Sequence, residues 1–260
     1  MTRTLGWAQT WAGVVVVLAL AELASRTEVL PSRYFPPISQ TFLTLVGQLG
    51  RGSFWAAVGH TLEGWALGLG FAALLAIPVG VAIGTSRLRY RACRVLIEFL
   101  RPIPSVALIP LAILIYGVGL ESKVFLATFA AFWPLMIQTL YGMQDIDPVA
   151  VDTARVFGLR RSERLTKVVL PSAVPYVATG LRISSTVALI LAVTAELVIG
   201  SAGLGREINA ARAGGATELM YALTIVTGLI GWGLNGLFTR AERRVLRWHP
   251  SQRTVEGGAL

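Results

Sequence analysis

The sequence predicts an all-α, polytopic membrane protein with six transmembrane helices and both termini in the cytoplasm. Three observations carry that prediction. The 260 residues are 54% hydrophobic and only 14% charged, with a mean hydropathy of +0.65. A soluble domain carries about 25% charged residues, so this chain has too few charges to cover a water-facing surface. Apolar runs of the length that crosses a hydrocarbon core, about twenty residues, recur along the chain. Basic residues are strongly biased to alternate connections between those runs.

The first run covers about Leu5–Ala24, through the valines at 14–17. A signal peptide would also begin with a basic residue (Arg3) and an apolar stretch, but this run is long for one and contains Glu22, so a retained helix is expected. The second run is about Leu62–Ile83. The third, Ser105–Val118, is short and follows a proline-rich approach. The fourth, Val124–Leu140, comes after a tight turn at Gly117–Lys123. The fifth and sixth cover about Val177–Ile199 and Met220–Phe238. Between the first and second runs, Pro31, Pro36 and Pro37 break the chain. Phe42, Leu43, Val46 and Leu49 then recur at helical spacing, which predicts a short amphipathic helix over 38–49 on the outer surface.

With the N-terminus inside, the cytoplasmic connections hold Arg3, then five arginines from Arg87 to Arg101, six basic residues from Arg155 to Arg182, and five arginines from Arg240 to Arg253. The outer side holds Arg26, Arg33, Arg51, Lys123, Arg206 and Arg212. Seventeen of the 23 basic residues therefore fall on one side, as the positive-inside rule requires. The net charge of +9 thus reports orientation and gives no support to nucleic-acid binding.

Several chemistries are excluded. The single Cys93 permits no internal disulfide. His60 and His249 lie far apart, so no metal cluster or Ser/His/Asp grouping is legible. Neither Lys123 nor Lys167 follows a glycine, so no P-loop is present. Gly203-Leu204-Gly205 follows no strand and is not a dinucleotide fingerprint. No cofactor is expected on this chain, and if it pumps a solute, the chemical energy must come from another subunit. An ion-coupled carrier would show inverted repeats with broken helices, and a membrane enzyme a clustered acidic or histidine motif. Neither is evident.

The most informative stretch joins the fourth and fifth runs. Asp147 suits an N-cap, Pro148 the first helical position, and Gly158 the left-handed position after a helix. A short helix with firm ends is predicted over 147–158, with Val151, Ala154, Val156 and Phe157 as an exposed apolar set. It either lies on the membrane surface as a connector or docks as a rigid knob into a groove on a soluble partner.

Asp152-Thr153-Ala154, then Gly158, then Val168-Val169-Leu170-Pro171 resembles the EAA loop of bacterial ABC-importer permeases. In that pattern Glu-Ala-Ala is followed after three residues by Gly, and after nine more by Ile, any residue, and Leu-Pro. Here Asp152 stands for Glu, Thr153 for Ala and Val168 for Ile. Arg101-Pro102-Ile103-Pro104, Ala107–Leu111, Glu121-Ser122-Lys123, Thr179–Arg182, Ala195-Glu196 and Gly203–Gly205 look like the nitrate/sulfonate/taurine-type permeases in particular. The resemblance covers roughly residues 35–250.

It implies a type I ABC importer (MetI-like) permease fold in the bacterial inner membrane. Residues 1–60 would carry the first helix and outer segment, 61–250 the permease core, and 251–260 a cytoplasmic tail. Asp152, Thr153, Ala154, Arg155, Val156, Phe157, Gly158, Leu159, Leu170 and Pro171 would couple to an ATPase. Partners would be a second permease copy, two ABC ATPase subunits holding ATP and Mg, and a periplasmic or lipid-anchored solute-binding protein. The solute would be a small anion such as a sulfonate, nitrate or bicarbonate, or a pyrimidine vitamin precursor.

Glu196, Ser184, Ser185 and Thr186 are the candidates for lining the pathway, since ionisable groups within spans tend to be functional. For Glu196 the favoured alternative is a structural carboxyl near the outer face. For the hydroxyls it is bonding to the carbonyls of their own helix. Arg182 is expected to snorkel to the inner interface. The pairs Gly64/Gly68 and Gly80/Gly84 are expected to let helices approach closely.

Overall fold

The computed structural model describes the backbone of residues 2–246, with side chains described from Ala12 onward except Val14. Residues 247–260, which include His249, Arg253 and the predicted tail at 251–260, lie outside the described residues. All regular elements among the described residues are helical: α1 Thr2–Arg26, α2 Ile38–Leu49, α3 Gly52–Gly84, α4 Arg87–Leu100, α5 Ile109–Tyr116, α6 Leu120–Gln144, α7 Pro148–Val156, α8 Arg161–Arg164, α9 Leu170–Ile199, α10 Leu204–Ala213 and α11 Thr217–Val245. A 3₁₀ turn at Ser105–Leu108 precedes α5, and a π turn at Leu165–Val169 joins α8 to α9.

Four described helical stretches are long and apolar enough to cross a membrane: Gly52–Gly84, Leu120–Gln144, Arg161–Ile199 and Thr217–Val245. The helices extend beyond the predicted apolar runs because polar residues continue the backbone hydrogen bonding past the apolar stretch. The amphipathic helix at 38–49 forms where periodicity places it.

The third predicted span differs. Ser105–Val118 is not one straight helix but the 3₁₀ turn followed by α5, and it meets α4 at a 79° bend. Pro102 and Pro104 sit in that bend and cannot donate the bonds a continuous helix needs. Eight α-helical and four 3₁₀ residues reach only about 20 Å, short of the roughly 30 Å hydrocarbon core. A crossing here requires α4 and α5 together.

Helices α3 and α6 run parallel in close register. Gly64, Gly68, Gly80 and Gly84 face Lys123, Ala127, Thr139 and Met143, a constant offset of 59 residues. A Cβ on Gly68 would sit 2.5 Å from the Ala127 Cβ. The missing side chains thus let the two backbones approach, as small residues do between membrane helices. Helix α9 packs antiparallel to α6. Gly142 of α6 faces Ala173 and Tyr176, and Gly180 of α9 faces Leu135 and Gln138. Small buried residues (Ala72, Ala76, Ala127, Ala131, Ala188 and Ala192) fill the contact zone.

This register carries a prediction. Gly68→Leu should lower the thermal unfolding midpoint and the monodisperse yield, since overpacking costs about 1–3 kcal/mol or more where neither helix can yield. Gly70→Leu, with nothing within 4 Å of its Cβ position, should match wild type. Equal behaviour of the two variants would show that the close approach is not required.

Helices α1 and α2 attach at the end of the bundle that holds α10. Glu22 accepts hydrogen bonds from the Ser39 backbone N–H (3.1 Å), the Ser39 hydroxyl (2.7 Å) and Arg26 (2.6 Å). The Thr217 hydroxyl, at the start of α11, donates to the Arg33 carbonyl at 2.8 Å. The opposite end of the bundle carries α7 and α8.

Candidate functional site

At the α7 end, the predicted short helix forms with the predicted ends. Helix α7 starts at Pro148, and the Asp147 carboxylate accepts from the Val149 N–H at 2.8 Å. Beyond Val156 the chain turns back through Gly158, whose φ of +76° lies in the left-handed region. The Leu159 N–H closes onto the Ala154 carbonyl at 3.0 Å and the Gly158 N–H onto the Arg155 carbonyl at 3.0 Å. The helix resumes at once: the Arg160 N–H donates to Glu163 at 2.9 Å, and residues 161–199 continue helically into the bundle.

That path carries Pro175 inside α9 and widens at the π turn, where the Leu170 N–H bonds to the Leu165 carbonyl five residues back. It immediately precedes Leu170-Pro171, the second half of the motif. Pro171 has no N–H to give a regular turn. A displacement of α7 therefore reaches α9 through one left-handed residue and one widened turn.

The predicted apolar set of α7 divides. Val156 and Phe157 are exposed (86% and 78%), whereas Ala154 is buried and Val151 partly so. The inward pair packs because α7 leans on α8 and the π turn, so only Val156 and Phe157, with Val149, remain available to a partner. Asp152 pairs with Arg155 at 2.9 Å on the exposed face. Thr153 and Gly158 are exposed, Leu159 is partly buried, and Leu170 and Pro171 are partly buried at the head of α9.

At the α10 end, Glu196 is fully buried. Its Oε1 accepts from Lys123 Nζ at 2.9 Å, and its Oε2 from the Thr61 hydroxyl and the Gly205 N–H, both at 2.9 Å. Lys123 completes its three donations to the carbonyls of His60 (2.8 Å) and Ala202 (2.9 Å). The Thr61 oxygen accepts in turn from the Leu204 N–H at 2.9 Å. One buried ion pair thus ties α3, α6, α9 and the start of α10.

Three glycines make room for it. The Lys123 stem crosses α3 at Gly64, while Gly203 and Gly205 let the loop close over the carboxylate. Gly203, with φ +149°, has no space for a Cβ, which would collide with the Glu196 carboxyl. Sequence reading placed Lys123 in an outer turn and left Glu196 alone. Nothing in their spacing signals the pair, because 73 residues separate them.

Ser184 and Ser185 are likewise buried. The Ser184 hydroxyl donates across to the Ala131 carbonyl at 2.8 Å, and the Ser185 carbonyl accepts from the Trp65 indole at 3.0 Å. They join helices instead of bonding to their own. Thr186 is exposed. Arg182 does not merely snorkel: it pairs with Glu242 of α11 at 3.3 Å, and the Thr179 hydroxyl donates to the same carboxylate at 3.1 Å.

The family model of the binding-protein-dependent transport system inner membrane component matches residues 72–247, which include all of α7 and the motif around it. The chain belongs to that family. Among the relatives of this permease are the taurine transport system permease protein TauC of Escherichia coli and the nitrate import permease protein NrtB of Leptolyngbya laminosa. The first is 31% identical over 91% of this chain and 88% of its own length. The second is 30% identical over 89% and 85%. Among solved structures, the inward-facing MetNI methionine ABC transporter matches with a TM-score of 0.65 at 20% identity, over 73% of this chain and 94% of that one. The permease fold and the ABC-transporter permease function expected from the motifs both stand. The family's role is transport, not catalysis.

Proposed function

We propose that this permease is the membrane subunit of an ATP-driven importer for a small anion, with sulfonates such as taurine ahead of nitrate and bicarbonate. In this reading the chain spans the bacterial inner membrane six times, through α1, α3, the bent α4–α5 pair, α6, α9 and α11, with both termini in the cytoplasm. The α7 end, which gathers Arg155, Arg160, Arg161, Arg164 and Lys167, faces the cytoplasm in accord with the positive-inside rule. Two copies form the pathway, with Thr186, which is exposed, as a candidate hydroxyl along it. A solute-binding protein delivers cargo to the α10 end, and ATP and Mg sit on two ATPase subunits.

The observation that supports this most is the construction of α7. It is capped at both ends, presents Val156 and Phe157 outward, and is continuous with α9. Motion of a docked ATPase would pass through such a stiff helix, whereas a loose loop would absorb it. Co-purification with the ATPase subunit and solute uptake in cells test the reading. Replacing that partner's Walker lysine should abolish uptake, and persistence of uptake would overturn the proposal. The solute is tested by titrating taurine, nitrate and bicarbonate into the cognate binding protein. Taurine should bind most tightly, and failure of all three would reject this solute class.

A further inference from the structure

Behind α7, on the side facing the bundle, lies an open cleft of about 860 Å³. Four arginines are among its lining residues: Arg89 from α4, Arg155 from α7, and Arg161 and Arg164 from α8. Its floor is apolar, with Val81, Met143 and Val169 among the lining residues. No carboxylate lines it. Asp152 meets Arg155 on the exposed side, and Glu163 is engaged by the Arg160 N–H and by Lys167 at 3.2 Å. Arg89 bonds to the Thr85 hydroxyl at 2.8 Å. Among the described residues, Arg161 and Arg164 have no ion-pair partner.

Four like charges around one space repel one another, only Arg155 has a carboxylate partner among the described residues, and a bound anion would relieve the repulsion that solvent leaves unscreened. Guanidinium groups present fixed forks that match a tetrahedral oxyanion bidentately. The apolar floor beside that charge suits an amphiphile as well as a free ion. We propose that this cleft is a binding site for a phosphate-type oxyanion, supplied either by free phosphate or by the phosphodiester of an anionic lipid headgroup. An occupant would bridge α4, α7 and α8. The site is separate from the outward face of α7 that carries Val156 and Phe157, and it requires no ATPase.

The test uses the full-length purified permease in neutral detergent. One arm measures the thermal unfolding midpoint in phosphate against chloride at matched ionic strength. The other measures retention of phosphatidylglycerol against phosphatidylcholine by native mass spectrometry. Arg161→Gln with Arg164→Gln removes two of the four guanidinium groups. Arg243→Gln with Arg244→Gln removes the same charge from α11 as a control.

We expect the wild type and the α11 control to show a phosphate-dependent rise in midpoint, selective phosphatidylglycerol retention, or both, and the α8 double variant to lose at least tenfold of that response. A response in the phosphate arm alone identifies a free-ion site. A response in the lipid arm alone identifies a headgroup site. No response in either arm overturns the proposal, as does an equal loss in the α11 control, which would mark diffuse charge. Should the double variant fail to fold, Arg89→Gln alone gives the same reading at a smaller loss.

Discussion

Lys123→Met should be the most damaging single substitution at the α10 end, with an expected loss of about 3–5 kcal/mol of stability. The Lys123 ammonium is 1% exposed as a residue and gives all three of its hydrogens to Glu196 and two carbonyls. Removing it leaves a carboxylate enclosed with no counter-charge and strands the His60 and Ala202 carbonyls. Breaking one half of a buried pair costs far more than the pair itself contributes, because desolvation of the survivor is no longer offset. Adding Glu196→Gln should therefore restore part of the loss, since a neutral amide can still accept from Thr61 and the Gly205 N–H. Thermal unfolding of the purified protein measures the series. Lys167→Met, which removes an exposed partner of Glu163, serves as the reference and should change stability by less than about 1 kcal/mol. If Lys123→Met unfolds where the reference does, the pair is not a clamp.

That pair also marks where sequence reading stops. The short helix at 148–156 was legible because its information is local: a capping carboxylate, a proline at the first turn and a glycine at the left-handed position all lie within twelve residues. The amphipathic 38–49 helix was legible for the same reason, through periodicity. The glycines at 64, 68, 80 and 84 announced close packing but not against what, since spacing on one helix does not choose a partner. Lys123 and Glu196 meet only because α6 and α9 run antiparallel in one register, which no local pattern encodes. A lone lysine directly after a glycine turn, opening an apolar helix, was the available hint. The division of the α7 apolar set into Val151 and Ala154 inward and Val156 and Phe157 outward likewise needs the tertiary position of α8 and the π turn.

Gly158→Val should uncouple the transporter while leaving the bundle folded. Gly158 holds φ +76°, and a Cβ there would meet nothing within 4 Å. The requirement is therefore conformational, not a matter of space. A side chain in the left-handed region costs roughly 1–2 kcal/mol, and a β-branched one is a greater outlier. The chain can relieve that only by reorienting α7 against α8, which moves Val156 and Phe157, the face proposed to meet the ATPase. We expect ATPase co-purification to weaken and uptake to fall about tenfold or more, with a thermal midpoint close to wild type. The order of substitutions distinguishes this cause from others. Asn visits the left-handed region readily, so Gly158→Asn should retain most function despite its size, Gly158→Ala should lose part, and Gly158→Val most. A packing requirement would rank the variants by volume and place Ala ahead of Asn. Wild-type association and uptake in Gly158→Val would refute the coupling role of this turn, whatever the fate of the clamp at the other end of the bundle.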